Sequence, residues 1–180
     1  MKTAIIIGHN ERAPGAVRVT DGVPEYIWNT KLAKRIQLYA DCEGRGDDVQ
    51  IFFRKAGLGY NAEIRECYAR VNAWKPDQTI ELHFNSFTAT STGTEMLYAA
   101  GSTKGKILAQ KVQDAVLNAL GLSDRGSKAI TRKDRGGASV FAANAPAIIV
   151  EPFFGSNKSD CATVDANFDK CAQGIWKAIK

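Results

Sequence analysis

The chain has 180 residues, of which 44% are hydrophobic and 24% charged, about one domain's worth of sequence with enough apolar content for a core. Its formal net charge is +5, and its longest unbroken apolar run, Met96–Ala100, falls far short of the ~20 residues that cross a bilayer. The apolar run Ala4–Ile7 is also shorter than the ~7–15 residues of a secretory h-region. No transmembrane segment and no signal peptide are expected, and synthesis in the cytoplasm is.

In chain order, a strand is predicted over Thr3–Ile7, then a helix with Pro24 at its first position and the stripe Trp28, Leu32, Ile36 and Tyr39. Strand Val49–Phe53 follows, and a second helix carries Ile64, Cys67, Tyr68, Val71 and Trp74 until Lys75-Pro76 stops it. Strands Thr79–Phe84 and Glu95–Ala99 precede a third helix with Leu108, Val112, Ala115, Val116 and Ala119, closed by Gly121. The glycine- and charge-rich segment Asp124–Gly137 reads as a loop. Strand Ala147–Val150 comes last, before one helix carrying Val164, Phe168, Cys171, Ile175 and Ile179.

This alternation predicts a single α/β domain over residues 1–180. Its twisted sheet, mostly parallel or mixed, has about five to six strands with helices on both faces. Ligands of such folds lie at the carboxyl ends of the strands. The four cysteines, 42, 67, 161 and 171, form no C-x-x-C pair, which leaves a metal or redox site unsupported, and Cys67 and Cys171 fall on apolar helical stripes, where buried free thiols are expected. The positive surplus suits an anionic partner, nucleic acid or an envelope polymer, and equally a merely solvated surface. No basic stretch is interleaved with aromatics for base stacking, which disfavours nucleic acid.

The predicted strand ends carry ionisable residues. His9 follows the first strand, His83 closes the third, and Glu151 directly follows Val150; His9 and His83 are the only histidines. Taken singly, a histidine beside a strand is more often a satisfied rim or core residue than a ligand. Glu25 stands three residues before Trp28, on the face of the apolar stripe, where a carboxylate points inward unless it merely complements the helix start. Jointly, two imidazoles and a carboxylate with a spare carboxylate make a catalytic zinc set, since such zinc takes three N/O ligands and keeps an open position for water.

These residues lie in three stretches: Ile7-Gly8-His9 with Pro14-Gly15-Ala16, Gly22, Glu25, Asn29 and Ala33; Glu81-Leu82-His83-Phe84-Asn85-Ser86 with Gly93-Thr94-Glu95; and Pro146 to Glu151 with Phe154-Gly155-Ser156-Asn157. In order and spacing the stretches resemble those of the zinc-dependent N-acetylmuramoyl-L-alanine amidases of the amidase_3 type. The resemblance implies zinc held by His9, Glu25 and His83, and Glu151 as the catalytic carboxylate. The substrate it implies is peptidoglycan, cut between N-acetylmuramic acid and L-alanine. One departure stands out: Asn10-Glu11 replaces the family's Gly-Gly, which makes Glu11 a rival ligand to Glu25. Glu95 is the runner-up for the base and otherwise a contact for substrate, and Asn85 is placed to orient His83 or substrate. Lys128, Arg132 and Arg135 are candidates to meet stem-peptide carboxylates. The expected protein is a monomeric phage or prophage endolysin without a separate cell-wall-binding domain. A zinc peptidase acting within the stem peptide and a non-catalytic wall-binding module are the alternatives.

Overall fold

The computed structural model describes residues 1–180. Its strands are β1 (Thr3–Ile7), β2 (Val49–Phe53), β3 (Gln78–Leu82), β4 (Thr94–Ala99), β5 (Asp124–Ile130) and β6 (Ala147–Glu151). They form one sheet in the order β2-β1-β3-β6-β4-β5. The first four of these run parallel; β4 is antiparallel to β6, and β5 follows the direction of β4.

Period-two alternation along β1 divides the core. Ile5 and Ile7 face the larger apolar cluster, built with Trp28, Leu32, Val112 and Ile175, whereas Ala4 and Ile6 face a smaller one with Phe52, Ile64 and Tyr68. Helices α1 (Glu25–Cys42), α3 (Thr103–Leu120), α5 (Lys158–Ala166) and α6 (Phe168–Ile179) cover the first face. On the second lie α2 (Tyr60–Trp74) and the short α4 (Gly137–Val140). No helix is long and apolar enough to cross a membrane. All four cysteines are free thiols, and burial pushes those of Cys67 and Cys171 up to about 12.

Three expectations need correction. The predicted loop Asp124–Gly137 contains β5 and leads into α4. As an edge strand, β5 pairs with β4 alone and is exposed over much of its length, so its residues carry no alternation of apolar and polar. A register shift opposite Thr94–Met96 adds a residue on β5, where Gly126 takes φ +81°. The single last helix is two, α5 and α6. Asn167 interrupts it by donating its side-chain N–H to the Thr163 carbonyl at 3.0 Å, in a non-helical conformation. Pro24, finally, is the residue before α1 rather than its first.

The two ends of the chain meet at one edge of the sheet. Thr3 Oγ1 and Gln78 Nε2, at the starts of β1 and β3, both donate to the Ile179 carbonyl at 3.4 and 2.8 Å.

Candidate active site

Strand order explains why distant residues converge. β1, β3 and β6 are neighbours and parallel, so His9, His83 and Glu151 emerge at the same carboxyl edge. Reversal of β4 brings its start to that edge too, with Glu95 paired opposite Glu151. Two carboxylates facing one another repel. The conflict is resolved by difference: Glu95 accepts from Asn85 Nδ2 at 2.7 Å and Arg125 Nε at 3.0 Å, and it pairs with Lys128. Its carboxyl is held below the usual range, where those bonds outweigh its burial. Glu151 has no such partners, its Oε2 being buried without a hydrogen bond. Burial pushes its carboxyl up to about 7, against the pull of His83 and Arg135.

Glu25, in the first turn of α1 and 1% exposed, lies between the histidines. Its Oε1 is 2.7 Å from His83 Nδ1 and its Oε2 is 3.2 Å from His9 Nε2. The Phe84 and Ala16 backbone N–H groups also donate to it, at 3.2 and 3.3 Å. Burial alone would raise its carboxyl, but the two imidazoles hold it far below the usual range. One donor atom from each of His9, Glu25 and His83 fits within 4.8 Å of the others.

These residues suit a divalent metal of borderline softness: two imidazoles and a carboxylate are a common catalytic zinc donor set. His9 Nε2 is buried and makes no well-aligned hydrogen bond, as a ligand nitrogen would. His9 also sits at φ +67°, a left-handed conformation costly for a side chain with a Cβ and typical of functional positions. Glu11, the rival carboxylate, is exposed and outside the cluster.

Close backbone approach makes room for the cluster. A Cβ on Gly8 would collide with the His83 ring, and one on Gly15 would come within 2.8 Å of both Glu25 Oε2 and His9 Cδ2. Gly8→Ala is therefore expected to displace His83, lowering metal affinity and activity together. Calorimetric metal titration, with a melting curve, checks this; the overpacking should cost about 1–3 kcal/mol of stability.

Several residues of the site escaped the sequence reading. Glu81, 1% exposed, accepts from His83 Nε2 at 3.0 Å and from the Tyr68 hydroxyl at 2.8 Å. Its signal was available: a lone carboxylate in a strand, two residues from His83 and so on the same face. Burial opposes charge on both partners, yet their hydrogen bonds prevail, holding Glu81 down to about 2 and His83 up to about 10. Arg54 directly follows β2 and lines the same pocket of about 240 Å³ as His9, His83 and Glu151. The strand-end rule, applied to β2, points to it. Asn10 braces the turn beyond His9, donating to Glu63 Oε2 at 2.7 Å and accepting from the Arg12 and Ala13 N–H groups.

Of the remaining expected contacts, Asn85, Glu95 and Arg135 line the pocket. Lys128 reaches it only through Glu95. Arg132 lies over the Phe141 ring and lines a different depression.

A three-donor cluster beside a carboxyl pushed up to about 7, at the carboxyl ends of the parallel strands, marks a hydrolase of α/β architecture with a candidate metal centre. The chain matches the amidase_3 family, N-acetylmuramoyl-L-alanine amidase, over residues 4–180, and it belongs to that family. Its reaction is hydrolysis of the amide between N-acetylmuramic acid and L-alanine in peptidoglycan. Among solved structures it is similar to the catalytic domain of the CD27L endolysin targeting Clostridia difficile, at 26% identity and TM-score 0.84, over 99% of this chain and 96% of that one. It also resembles the catalytic domain of CwlV, an amidase of Bacillus (Paenibacillus) polymyxa var. colistinus, at 23% identity and TM-score 0.79, with 99% and 96% covered. An amidase of Clostridium difficile 630 matches at 23% identity and TM-score 0.77, with 99% and 94% covered. No curated protein sequence matches the chain.

Proposed function

We propose that the chain is a zinc amidase in which His9, Glu25 and His83 hold the metal and Glu151 moves the protons. The carrying observation is the convergence of the three donors within 4.8 Å beside a carboxyl pushed up to about 7. Bound zinc would supply positive charge for the developing oxyanion and a water of lowered pKa. Glu81, accepting from His83 Nε2, orients the ring and leaves Nδ1, the nitrogen facing Glu25, as the one that would hold the metal. Ionised Glu151 takes a proton from the attacking water. The oxygen bonds to the lactyl carbonyl carbon, and Glu151 returns the proton to the alanine nitrogen as the C–N bond breaks. Glu95, held anionic by its cations and by Asn85, is a poor proton acceptor and fixes the wall of the pocket beside Glu151.

The test is digestion of purified peptidoglycan with and without a chelator. New N-terminal L-alanine, lost on chelation and restored by zinc, is the expected result; new termini elsewhere in the stem peptide would instead make the protein an endopeptidase.

The biological reading is a phage or prophage endolysin whose residues 1–180 act as one monomeric catalytic domain. Its support is the likeness to an endolysin catalytic domain and a net charge of +5 suited to an anionic wall. Expression inside bacteria should lyse them only once the cytoplasmic membrane is permeabilised, and lysis without permeabilisation would point to another route to the wall.

A further inference from the structure

Arg54 is a buried cation without a protein anion. It is 6% exposed, its Nε has no hydrogen-bond partner, and it takes part in none of the ion pairs. Its guanidinium lies against the Tyr60 ring, with Cζ 5.4 Å from the centroid. An arginine stays charged in a protein, and burying that charge unpaired is costly. Glu81 attracts it through space but makes no hydrogen bond or salt bridge with it, its oxygens being turned to His83 and Tyr68. Arg135, which like Arg54 acts on the Tyr60 hydroxyl, adds a second positive charge from the exposed rim. The cleft therefore pairs a proton-handling end at Glu151 with a cationic end at Arg54.

We propose that Arg54, braced by Tyr60 and assisted by Arg135, is the subsite for a free carboxylate on the peptide released by the reaction. This rests on the amidase reading of the pocket and adds a determinant of substrate choice. Because Arg54 lines the same pocket as Glu151, its ligand lies within a residue or two of the scissile amide, the chain advancing roughly 3.3–3.6 Å per residue. The first free carboxylate met in that direction is on the residue bonded to L-alanine. In cell walls that group is either a carboxylate or its neutral carboxamide. Only the carboxylate takes two parallel charge-assisted hydrogen bonds from a guanidinium.

The experiment compares two soluble muropeptides, N-acetylmuramoyl-L-alanyl-γ-D-glutamyl-L-lysinamide and its D-isoglutaminyl counterpart, in which the γ-carboxyl is bonded and only the α-carboxylate or α-carboxamide differs, with release of N-terminal L-alanine as the readout. Wild-type protein, Arg54→Gln and Arg54→Lys are assayed, and zinc affinity and melting temperature are measured for each. The wild type is expected to prefer the carboxylate roughly 10–100-fold in kcat/KM. Arg54→Gln should bring that ratio near one with zinc affinity retained, and Arg54→Lys should restore part of it. A wild-type ratio near one, or an unchanged ratio in Arg54→Gln, would overturn the subsite, and the wild-type ratio decides even where a variant does not fold. Cleavage of neither substrate, with no alanine terminus from intact wall, would overturn the amidase reading and the subsite with it.

Discussion

Replacing Glu151 by Gln is expected to lower kcat by roughly 10²–10⁴, about 3–5 kcal/mol at 1.36 kcal/mol per tenfold, with zinc affinity near wild type. Gln fills the same space but cannot take the water's proton or return it to the leaving nitrogen. A pH profile adds a sharper criterion. Burial holds the Glu151 carboxyl up at about 7, so the base is ionised above that pH and activity falls as pH drops through it. Metal charge nearby favours the carboxylate and moves this acid limb to 7 or below. The limb should vanish in Glu151→Gln; its persistence there would assign it to another group.

The same variant should be the more stable protein. A carboxyl whose pKa is raised on folding favours the native state only while it is protonated, and that contribution is lost as pH rises through about 7. At pH 8 the ionised, buried Glu151 opposes folding, and a neutral Gln does not. A gain of about 1–3 kcal/mol in metal-free protein, read from urea unfolding, is the expected companion of the lost turnover.

Glu25→Ala should have the largest effect on the metal. It removes one of three donors and leaves His9, His83 and the Phe84 N–H without their shared acceptor. Zinc binding and activity should disappear together. In metal-free protein the loss of this buried pair should cost about 3–5 kcal/mol. Wild-type metal-free stability carries the sign of both partners. Glu25, held below its ordinary 4.5, contributes above that value and loses its contribution as pH falls. His83, raised from 6.5 to about 10, contributes fully below 6.5 and loses it as pH rises through 10. Metal must displace that His83 proton, so zinc affinity of the wild type should climb with pH from about 6.5 towards 10, as competition titration would show. An affinity flat over that range would contradict the His83–Glu25 pairing.

Legibility in the sequence followed burial and pairing. β1, β3 and β6 are buried throughout, so their apolar runs announced them, and the residues just past their ends marked the site. β5 carries its charges at an exposed edge and borrows its structure from β4, which no local pattern reveals. Glu95 was visible as a strand start, but its place opposite Glu151 depends on the antiparallel turn of β4. Glu81, two residues before His83, and Arg54, directly after β2, were marked by position, but their roles rest on three-dimensional neighbours that no local pattern shows: His83 and Tyr68 for one, the Tyr60 ring for the other.

The meeting of the chain ends at Ile179, by the starts of β1 and β3, places them on the side of the sheet away from the cleft. Peptidoglycan strands entering over Glu151 and Arg54 need not pass either terminus. Extra sequence can be grafted at the amino or carboxyl end, a targeting module for a chosen wall among them, and the cutting edge stays clear. Such a graft starts from an anchored end, where the tail of α6 is already hydrogen-bonded to the starts of β1 and β3.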